Sequence, residues 1–417
     1  MTAAWATLRH PAGYRHGVVQ PPEVWDVAVI GAGPAGAMAA LAAVSRRQRV
    51  VVLERSQIPR HKTCAGGLVG ASMRALPAGL EPPVQATVTS FTFSLRGRPG
   101  PTKTAEVPLV RTVRRDEFDA MLIDAAVAAG AVVRDGTTVT GLTAEDDDLM
   151  RVSVRDDKDV HARVIVGADG SAGRSAGYVG VTLDQVDLGL EVELPVPGDR
   201  REYWRDRILI DWGTIPGGYA WVFPKGEFLS VGVIAERAGP AQDGAHRPRA
   251  HLDTRAYLDD FLARHQLDPQ TAVVSSGHLT RCRTADSPLY RDRVLVAGDA
   301  AGLLEPLTRE GISFALRSGT MAGQAAASAA QASSAAEVTA ALAAYTAEVS
   351  ATLTPEMQAG RLLLRAYARH PRVFYLTVLL VPMAWKLVVR SVTGEVSFAG
   401  LTKQPLARAL LKAFMPR

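Results

Sequence analysis

Only two cysteines occur in 417 residues, Cys64 and Cys282, far apart and in no C-x-x-C pair. That scarcity argues against a disulfide framework or a structural zinc site, and a reducing cytoplasm is the simplest setting. No uninterrupted apolar run reaches the roughly 18 residues that a bilayer-crossing helix requires. The nearest, Val373 to Trp385, is uncharged but short and is broken by Pro382. Basic residues are scattered and the formal net charge is only +5, so no nucleic-acid partner is expected. Residues 1–24 contain Pro11, Pro21 and Pro22 and no apolar core of the signal-peptide kind, which predicts a loose N-terminal arm. Internal repeats are absent, and no metal site is expected.

What is present is concentrated first in WDVAVIGAGPAGAMAALAAVSRRQRVVVLER, residues 25–55. Val27 to Ile30 read as a strand that ends at Gly31, where GAGPAG fits G-x-G-x-x-G and opens an Ala-rich helix. Gly31 allows the tight turn, Gly33 lets backbone approach a pyrophosphate, and Gly36 lets the helix pack on the strand. The helix start offers free N–H groups and a partial positive charge to phosphates. A second strand, Val50 to Leu53, ends at Glu54, in the place of the acid that binds a ribose about 20 residues after the first glycine. The stretch therefore predicts a dinucleotide site. No second G-x-G-x-x-G follows a strand, so a separate nicotinamide fold is not visible.

Further along, a polar loop follows Glu54 and leads into a helix. Residues 84–112 alternate or are β-branched and predict strands of another layer. RDEFDAMLIDAAVAAGA places Phe118, Leu122, Ile123 and Ala126 on one helical face, with acids in the first turn. Val132 to Leu142 and Met150 to Ala168 read as strands. GLEVELPV, RILIDWG, YAWVFP and FLSVGVIAE, with a helix after them near 251–265, predict a separate, mostly antiparallel sheet over about 184–284. Val294 to Ala297 return to a short strand before GDAAG and a long Ala-rich helical region. The expected organisation is thus α/β: a discontinuous Rossmann-like cofactor domain (25–83, 113–183 and 285–325), an antiparallel-sheet substrate domain (84–112 and 184–284), and a helical C-terminal region (326–417).

GAGPAG with Glu54, GADG at 167–170 and VLVAGDAAG at 294–302 together form the pattern of the glutathione-reductase-like flavoproteins. This points to FAD over NAD, with Asp299 as an acceptor for the ribityl hydroxyls. PRHKTCAGGL (59–68), RDEFD (115–119), YAWVFP (219–224) and GDAAGLLEPLTREGI (298–312) resemble the segments of the geranylgeranyl reductase family over about residues 24–325. The resemblance implies cofactor contacts from Gly31, Gly33, Ala35, Gly36, Glu54, Arg55, Cys64, Ala65, Gly67, Arg115, Val139, Asp169, Gly170, Gly298, Asp299, Gly311 and Ile312. It implies a substrate wall of Tyr219, Trp221, Phe223 and Pro224. Three departures stand out: Ala65 and Arg309 replace glycines of the family pattern, and Ile234 stands where its G-x-G would end. Cys64 has two readings, a small buried hydrophobe or a catalytic residue beside flavin and substrate.

The implied activity is FAD-dependent reduction of double bonds in a polyprenyl chain on a lipid, a diphosphate or a quinone, with NADPH or a reduced carrier as electron donor. An FAD-dependent monooxygenase or halogenase of the same fold, and a prenyl-binding escort without catalysis, remain the alternatives. The stretch 362–390 carries Arg365, Arg369, Arg372, Lys386 and Arg390 around its apolar core, with Tyr375 and Trp385 as residues that favour the headgroup zone. It reads either as a peripheral contact on the inner face of a membrane or as a core helix over the substrate channel.

Overall fold

The computed structural model describes residues 24–146, 148–236 and 253–405. The N-terminal arm expected up to residue 24 lies almost wholly outside these, as do the first residues of the helix expected near 251 and the chain from 406 onward.

The strands Trp25–Ile30, Val50–Leu53, Val132–Arg134, Val160–Gly167 and Val294–Val296 form the parallel core of an eight-stranded sheet. Val50 to Leu53 are buried at every position, and so are Val164 to Val166. Continuous apolar runs of this kind suit a sheet covered on both faces. Helices Pro34–Val44, Arg115–Ala128 and Ile312–Gln331 supply cover. Phe118, Leu122, Ile123 and Ala126 are all buried, as their shared helical face predicts. The long helix approaches closely, because Gly319 lies against the backbone of Ala35. A Cβ at Gly319 would stand 2.2 Å from the Ala35 carbonyl oxygen.

One of the expected strands needs correction. Val132 to Leu142 is not one strand. It breaks after Arg134 at a turn where Gly136 takes a positive φ of 67°, and Val139–Ala144 then pairs antiparallel with Met150–Val154. The GDAAG segment forms one short turn, Gly298–Ala301, and a loop leads from it to the long helix at Ile312.

A second, seven-stranded sheet runs in the order Val274–Arg283, Leu183–Pro195, Phe228–Glu236, Tyr219–Lys225, Arg207–Trp212, Ser90–Leu95 and Thr102–Thr104. Its neighbours are antiparallel except Arg207–Trp212 against Ser90–Leu95. Helix Thr254–Arg264, capped by the Asp253 carboxylate on two backbone N–H groups, buries Tyr257, Leu258, Phe261 and Leu262 on one face of this sheet. Of the stretch 84–112, only its middle joins the sheet. Val110–Val113 instead pairs with Val84–Val88 on one side and with Gly67–Leu68 on the other, in a small third sheet.

The C-terminal chain is helical. The Ala-rich stretch divides into Ile312–Gln331 and Ala335–Thr352, because Ser334 caps a new start by accepting from the Glu337 N–H. Thr354–Arg369, Pro371–Leu380 and Pro382–Val392 follow. The last two meet at 94°, since Pro382 cannot donate the backbone bond that would continue the helix through Val381. Among the described residues no single helix is long and apolar enough to cross a membrane.

Candidate active site

A cavity of about 1350 Å³ runs from the start of helix Pro34–Val44, across the opposite face of the seven-stranded sheet, to the bent C-terminal helices. It exceeds the roughly 300–1,000 Å³ of ordinary small-molecule pockets. One end is built largely of backbone. Gly36 packs so closely that an added Cβ would stand 1.8 Å from the Gly31 carbonyl oxygen. At Gly33 the space is open: the nearest atom to a Cβ there is the Arg60 guanidinium, 3.5 Å away. This is a cradle in front of a helix start, with a cation at its edge. Glu54, buried, accepts from the Ala32 N–H at 2.9 Å and meets Arg60 at 3.3 Å, and it borders the same space.

Asp299 lies on the cavity wall with His278 Nε2 at 3.4 Å. Burial works against its charge, but the hydrogen bond from His278 and the charges of Lys62 and Arg115 hold its carboxyl below the usual range. The cradle, the carboxylate at its rim and the ionised Asp299 fit an adenine dinucleotide whose middle is phosphate and whose linker carries hydroxyls. Bound there, FAD supplies hydride chemistry; the chain's own residues orient it and exclude water.

The structure brings most of the expected residues to this cavity. Gly31, Gly33, Ala35, Glu54, Arg55, Cys64, Ala65, Gly67, Arg115, Val139, Asp169, Gly170, Asp299, Gly311 and Ile312 line it. Gly36 and Gly298 stand behind the lining: the first packs on Gly31, and the second donates its N–H to Ser318 Oγ at 2.9 Å. The Asp169 carboxylate caps helix Ser175–Val179, accepting from the Arg174 and Ser175 N–H groups at 2.7 and 3.1 Å.

Cys64 is half-buried, with the Gly66 N–H 3.4 Å from its sulfur. Of the cations that precede it, Arg60 turns to Glu54 and Asp119. Burial pulls the Lys62 ammonium toward neutrality. Arg115 is itself held by two bonds to Asp119, at 2.8 and 3.0 Å.

Arg309, in the place of a glycine of the family pattern, keeps the conformation that a glycine favours, with φ of 57°. A left-handed residue with a Cβ costs about 1–2 kcal/mol. Offsetting this, its guanidinium makes two bonds to the fully buried Asp187, at 3.1 and 3.2 Å, and one to the Leu307 carbonyl at 2.7 Å. The same turn buries Glu305 and half-buries Glu310, and loss of solvent pushes both carboxyls up despite the hydrogen bonds they accept. Glu310 accepts from the Ser313 N–H at 2.7 Å and from the Ser72 hydroxyl at 3.3 Å, which fixes the start of the long helix at Gly311 and Ile312.

At the other end the cavity is lined by side chains. Strand alternation turns Tyr219, Trp221 and Phe223 into it. The Tyr219 hydroxyl donates to the Thr308 carbonyl. Pro224 is corrected: it does not line the cavity, because an even position on this strand faces the other side of the sheet, with Val222. Lys225, the next odd position, returns to the first face and donates to the Cys64 carbonyl at 2.8 Å. Ile234 also lines the cavity, so the departure from the family's glycine narrows it there.

Several lining residues were not singled out from sequence. Phe91, Phe93 and Trp212 extend the aromatic wall, with Phe93 and Trp212 ring centroids 5.0 Å apart. Helices from the C-terminal region cover it, through Phe374 at 5.5 Å from Trp212 and Trp385 at 6.3 Å from Phe91. The two aromatics expected at a headgroup zone therefore face inward: Tyr375 is buried and Trp385 packs on Phe91 and Phe93. Glu191 is also among these lining residues; the signal that could have found it is that Asp187, Glu191 and Glu193 share one face of a strand by alternation, and all three are buried.

Residues 24–359 match the model of an FAD binding domain family. Over 73% of this chain and 77% of the relative, the sequence is 32% identical to digeranylgeranylglycerophospholipid reductase 2 of Methanopyrus kandleri. The chain belongs to the geranylgeranyl reductase family of FAD-dependent oxidoreductases. It is 31% identical, over 72% of its length and 74% of the relative's, to an uncharacterized protein of Methanosarcina barkeri. Among solved structures, a geranylgeranyl bacteriochlorophyll reductase-like protein of Thermoplasma acidophilum aligns with a TM-score of 0.69 at 21% identity, covering 94% of this chain and 96% of that one. A flavin-dependent brominase aligns with a TM-score of 0.66 at 18% identity, covering 94% and 98%. Likeness at these identities shows a shared fold.

Proposed function

We propose that the protein reduces carbon–carbon double bonds in the polyprenyl chain of a lipid. The observation that carries this reading is the continuity of one cavity: an aromatic and aliphatic channel (Phe91, Phe93, Trp212, Trp221, Phe223) opens directly onto the FAD cradle beside Cys64. A long hydrocarbon without polar groups needs such a channel, because it is held by buried area at roughly 25 cal/mol per Å² and by little else. Relatives named as reductases of digeranylgeranylglycerophospholipids support a lipid over a free diphosphate or quinone. The electrons come from NADPH or a reduced carrier that meets the flavin from outside, since the described residues offer one dinucleotide cradle.

The channel's cover supports delivery from a membrane surface. Leu376, Leu380 and Met383 are exposed around the 94° corner, Leu380 by 72%, and Arg365, Arg369, Arg372 and Lys386 are exposed on these and the preceding helix. Exposed apolar residues and exposed cations on consecutive helices suit a shallow contact with anionic lipid. Reversing the charge of Arg365, Arg369 and Arg372 is expected to release the protein from anionic vesicles at low salt and to leave its flavin content intact. Wild type that fails to sediment with such vesicles removes the membrane contact.

The main test is anaerobic incubation of dithionite-reduced holoenzyme with a geranylgeranyl lipid, a geranylgeranyl diphosphate and a polyprenyl quinone, followed by mass spectrometry. Gain of two hydrogens per reduced bond, greatest on the lipid, is expected. Turnover that requires oxygen or halide instead would favour a monooxygenase or halogenase of the same fold.

A further inference from the structure

Beside the channel, on the same face as Trp221 and Phe223, lies a buried cluster of charge that neither cofactor binding nor substrate packing uses. Lys225 Nζ is 2.6 Å from Glu193 and 3.4 Å from Glu191, and all three side chains are buried. Glu191 borders the channel. One of its oxygens accepts from the Ser230 hydroxyl at 2.6 Å, and Ser230 in turn accepts from the Trp221 indole N–H at 3.1 Å. The other oxygen, Oε2, is buried and has no hydrogen-bond partner. A buried carboxyl oxygen left so is costly unless something else engages it. On the far side, Glu193 and Lys225 line a small outer cleft of about 210 Å³ together with Pro59, His61 and Asp116. The three groups thus connect that cleft to the channel.

The sequence holds this arrangement in place. Glu191 and Glu193 share a face because they are two apart on one strand, and Glu191 sits directly opposite Gly232 of the neighbouring strand. A Cβ at Gly232 would stand 2.2 Å from the Trp221 ring. Gly232 is what allows the indole to lie across the sheet and reach Ser230.

Resting on the proposed reduction, we infer that Glu191 is the proton source for the double bond and that Lys225 and Glu193 resupply it from the outer cleft. Reducing an alkene needs one hydride and one proton. The hydride, with both electrons, comes from the reduced flavin, which is oxidised. The proton comes from the Glu191 carboxyl: its O–H bond breaks as a C–H bond forms at the second alkene carbon, leaving a carboxylate. The Lys225 ammonium returns a proton to that carboxylate across 3.4 Å, and Glu193 passes one from the cleft to Lys225. The charges suit the task. One ammonium faces two carboxylates, so the cluster carries an unbalanced negative charge that a single proton cancels. Burial pulls the Lys225 ammonium toward neutrality, but the two glutamates outweigh it and hold it charged. Of the other ions at the cleft, Arg115 is paired with Asp119 and Arg114 with Asp116, and burial pulls the Lys62 ammonium toward neutrality against the charge of Asp299. Of the other acids on the cavity wall, the two that burial pushes up are fixed as acceptors, Glu310 by Ser72 and Ser313 and Glu305 by the N–H groups of Leu307 and Thr308.

Glu191→Gln, isosteric and uncharged, is expected to keep its flavin and to bind geranylgeranyl lipid in the oxidised state. Its single-turnover reduction should be about 100-fold slower or worse, the usual contribution of a general acid. Glu191→Asp keeps the acid but withdraws it by one methylene, and should lose about 10-fold. A second readout needs neither flavin nor substrate: the infrared spectrum of the apoprotein should contain a protonated-carboxyl band that is missing in Glu191→Gln. A rate within twofold of wild type in both variants, or the same loss in Glu310→Gln with Glu191→Gln unaffected, overturns the inference, as does an apoprotein spectrum unchanged by Glu191→Gln. If wild type itself reduces no polyprenyl substrate, the proposed function falls, and the infrared comparison still decides the state of Glu191.

Discussion

The two ends of the cavity are built by opposite means. At the cofactor end the wall is chiefly backbone, and what matters is where side chains are missing: Gly33 leaves the cradle open, and Gly36 lets the helix reach the turn. At the substrate end the wall is side chains drawn from strands near residues 91, 210 and 221 and from helices near 374 and 385. An end made of backbone tolerates no added atom, whereas an end made of many side chains loses function by degrees.

The largest effect should separate two glycines three residues apart. Gly36→Val is expected to prevent folding, because its side chain would collide with the Gly31 carbonyl. It should show no cooperative thermal transition by circular dichroism. Gly33→Val points into open space, so it should fold with a near-normal melting temperature and yet purify without the flavin absorbance. If both variants behave alike, the cradle is not defined by backbone.

Arg309→Met comes next. It relieves no left-handed strain and leaves Asp187 buried with only Gln185 beside it, at 2.7 Å. Breaking a buried pair on one side costs about 3–5 kcal/mol, read as a fall in the midpoint of urea unfolding. Asp187→Asn with Arg309→Met should recover part of that loss.

Trp212→Ala tests the graded end. Losing one aromatic of several should weaken lipid binding by about 1.5–3 kcal/mol, seen as a raised KM with flavin content unchanged. The smallest structural disturbance is Cys64→Ser, which should fold and retain FAD but reduce polyprenyl substrate poorly in a single turnover. An unchanged rate would return Cys64 to a packing role.

The contrast also explains what was legible in the sequence. GAGPAG, Glu54 and GDAAG could be read because backbone cradles impose glycine at fixed spacing along one short segment. The inward face of Tyr219, Trp221 and Phe223 followed from period two, and the same rule carried to Lys225 excludes Pro224. Phe91, Phe93 and Trp212 stayed hidden because nothing local distinguishes a channel aromatic from a core aromatic; only the pairing of Ser90–Leu95 with Arg207–Trp212, more than a hundred residues apart, brings them together. The break at Asp135 and Gly136 and the inward turn of Tyr375 and Trp385 are likewise tertiary outcomes. In each, partners distant in the chain override the local pattern.

Gly319 resting on Ala35 bears on modularity. The first 180 residues contain the whole phosphate turn, yet the helix that begins there is braced by one that starts at Ile312, and the strand Val294–Val296 completes the sheet beneath it. An N-terminal fragment would lose that brace and that strand together, exposing the small-residue face of Pro34–Val44 to water. The nucleotide half of this chain is therefore not a portable unit. Its shape is finished only when the last third of the polypeptide has been made.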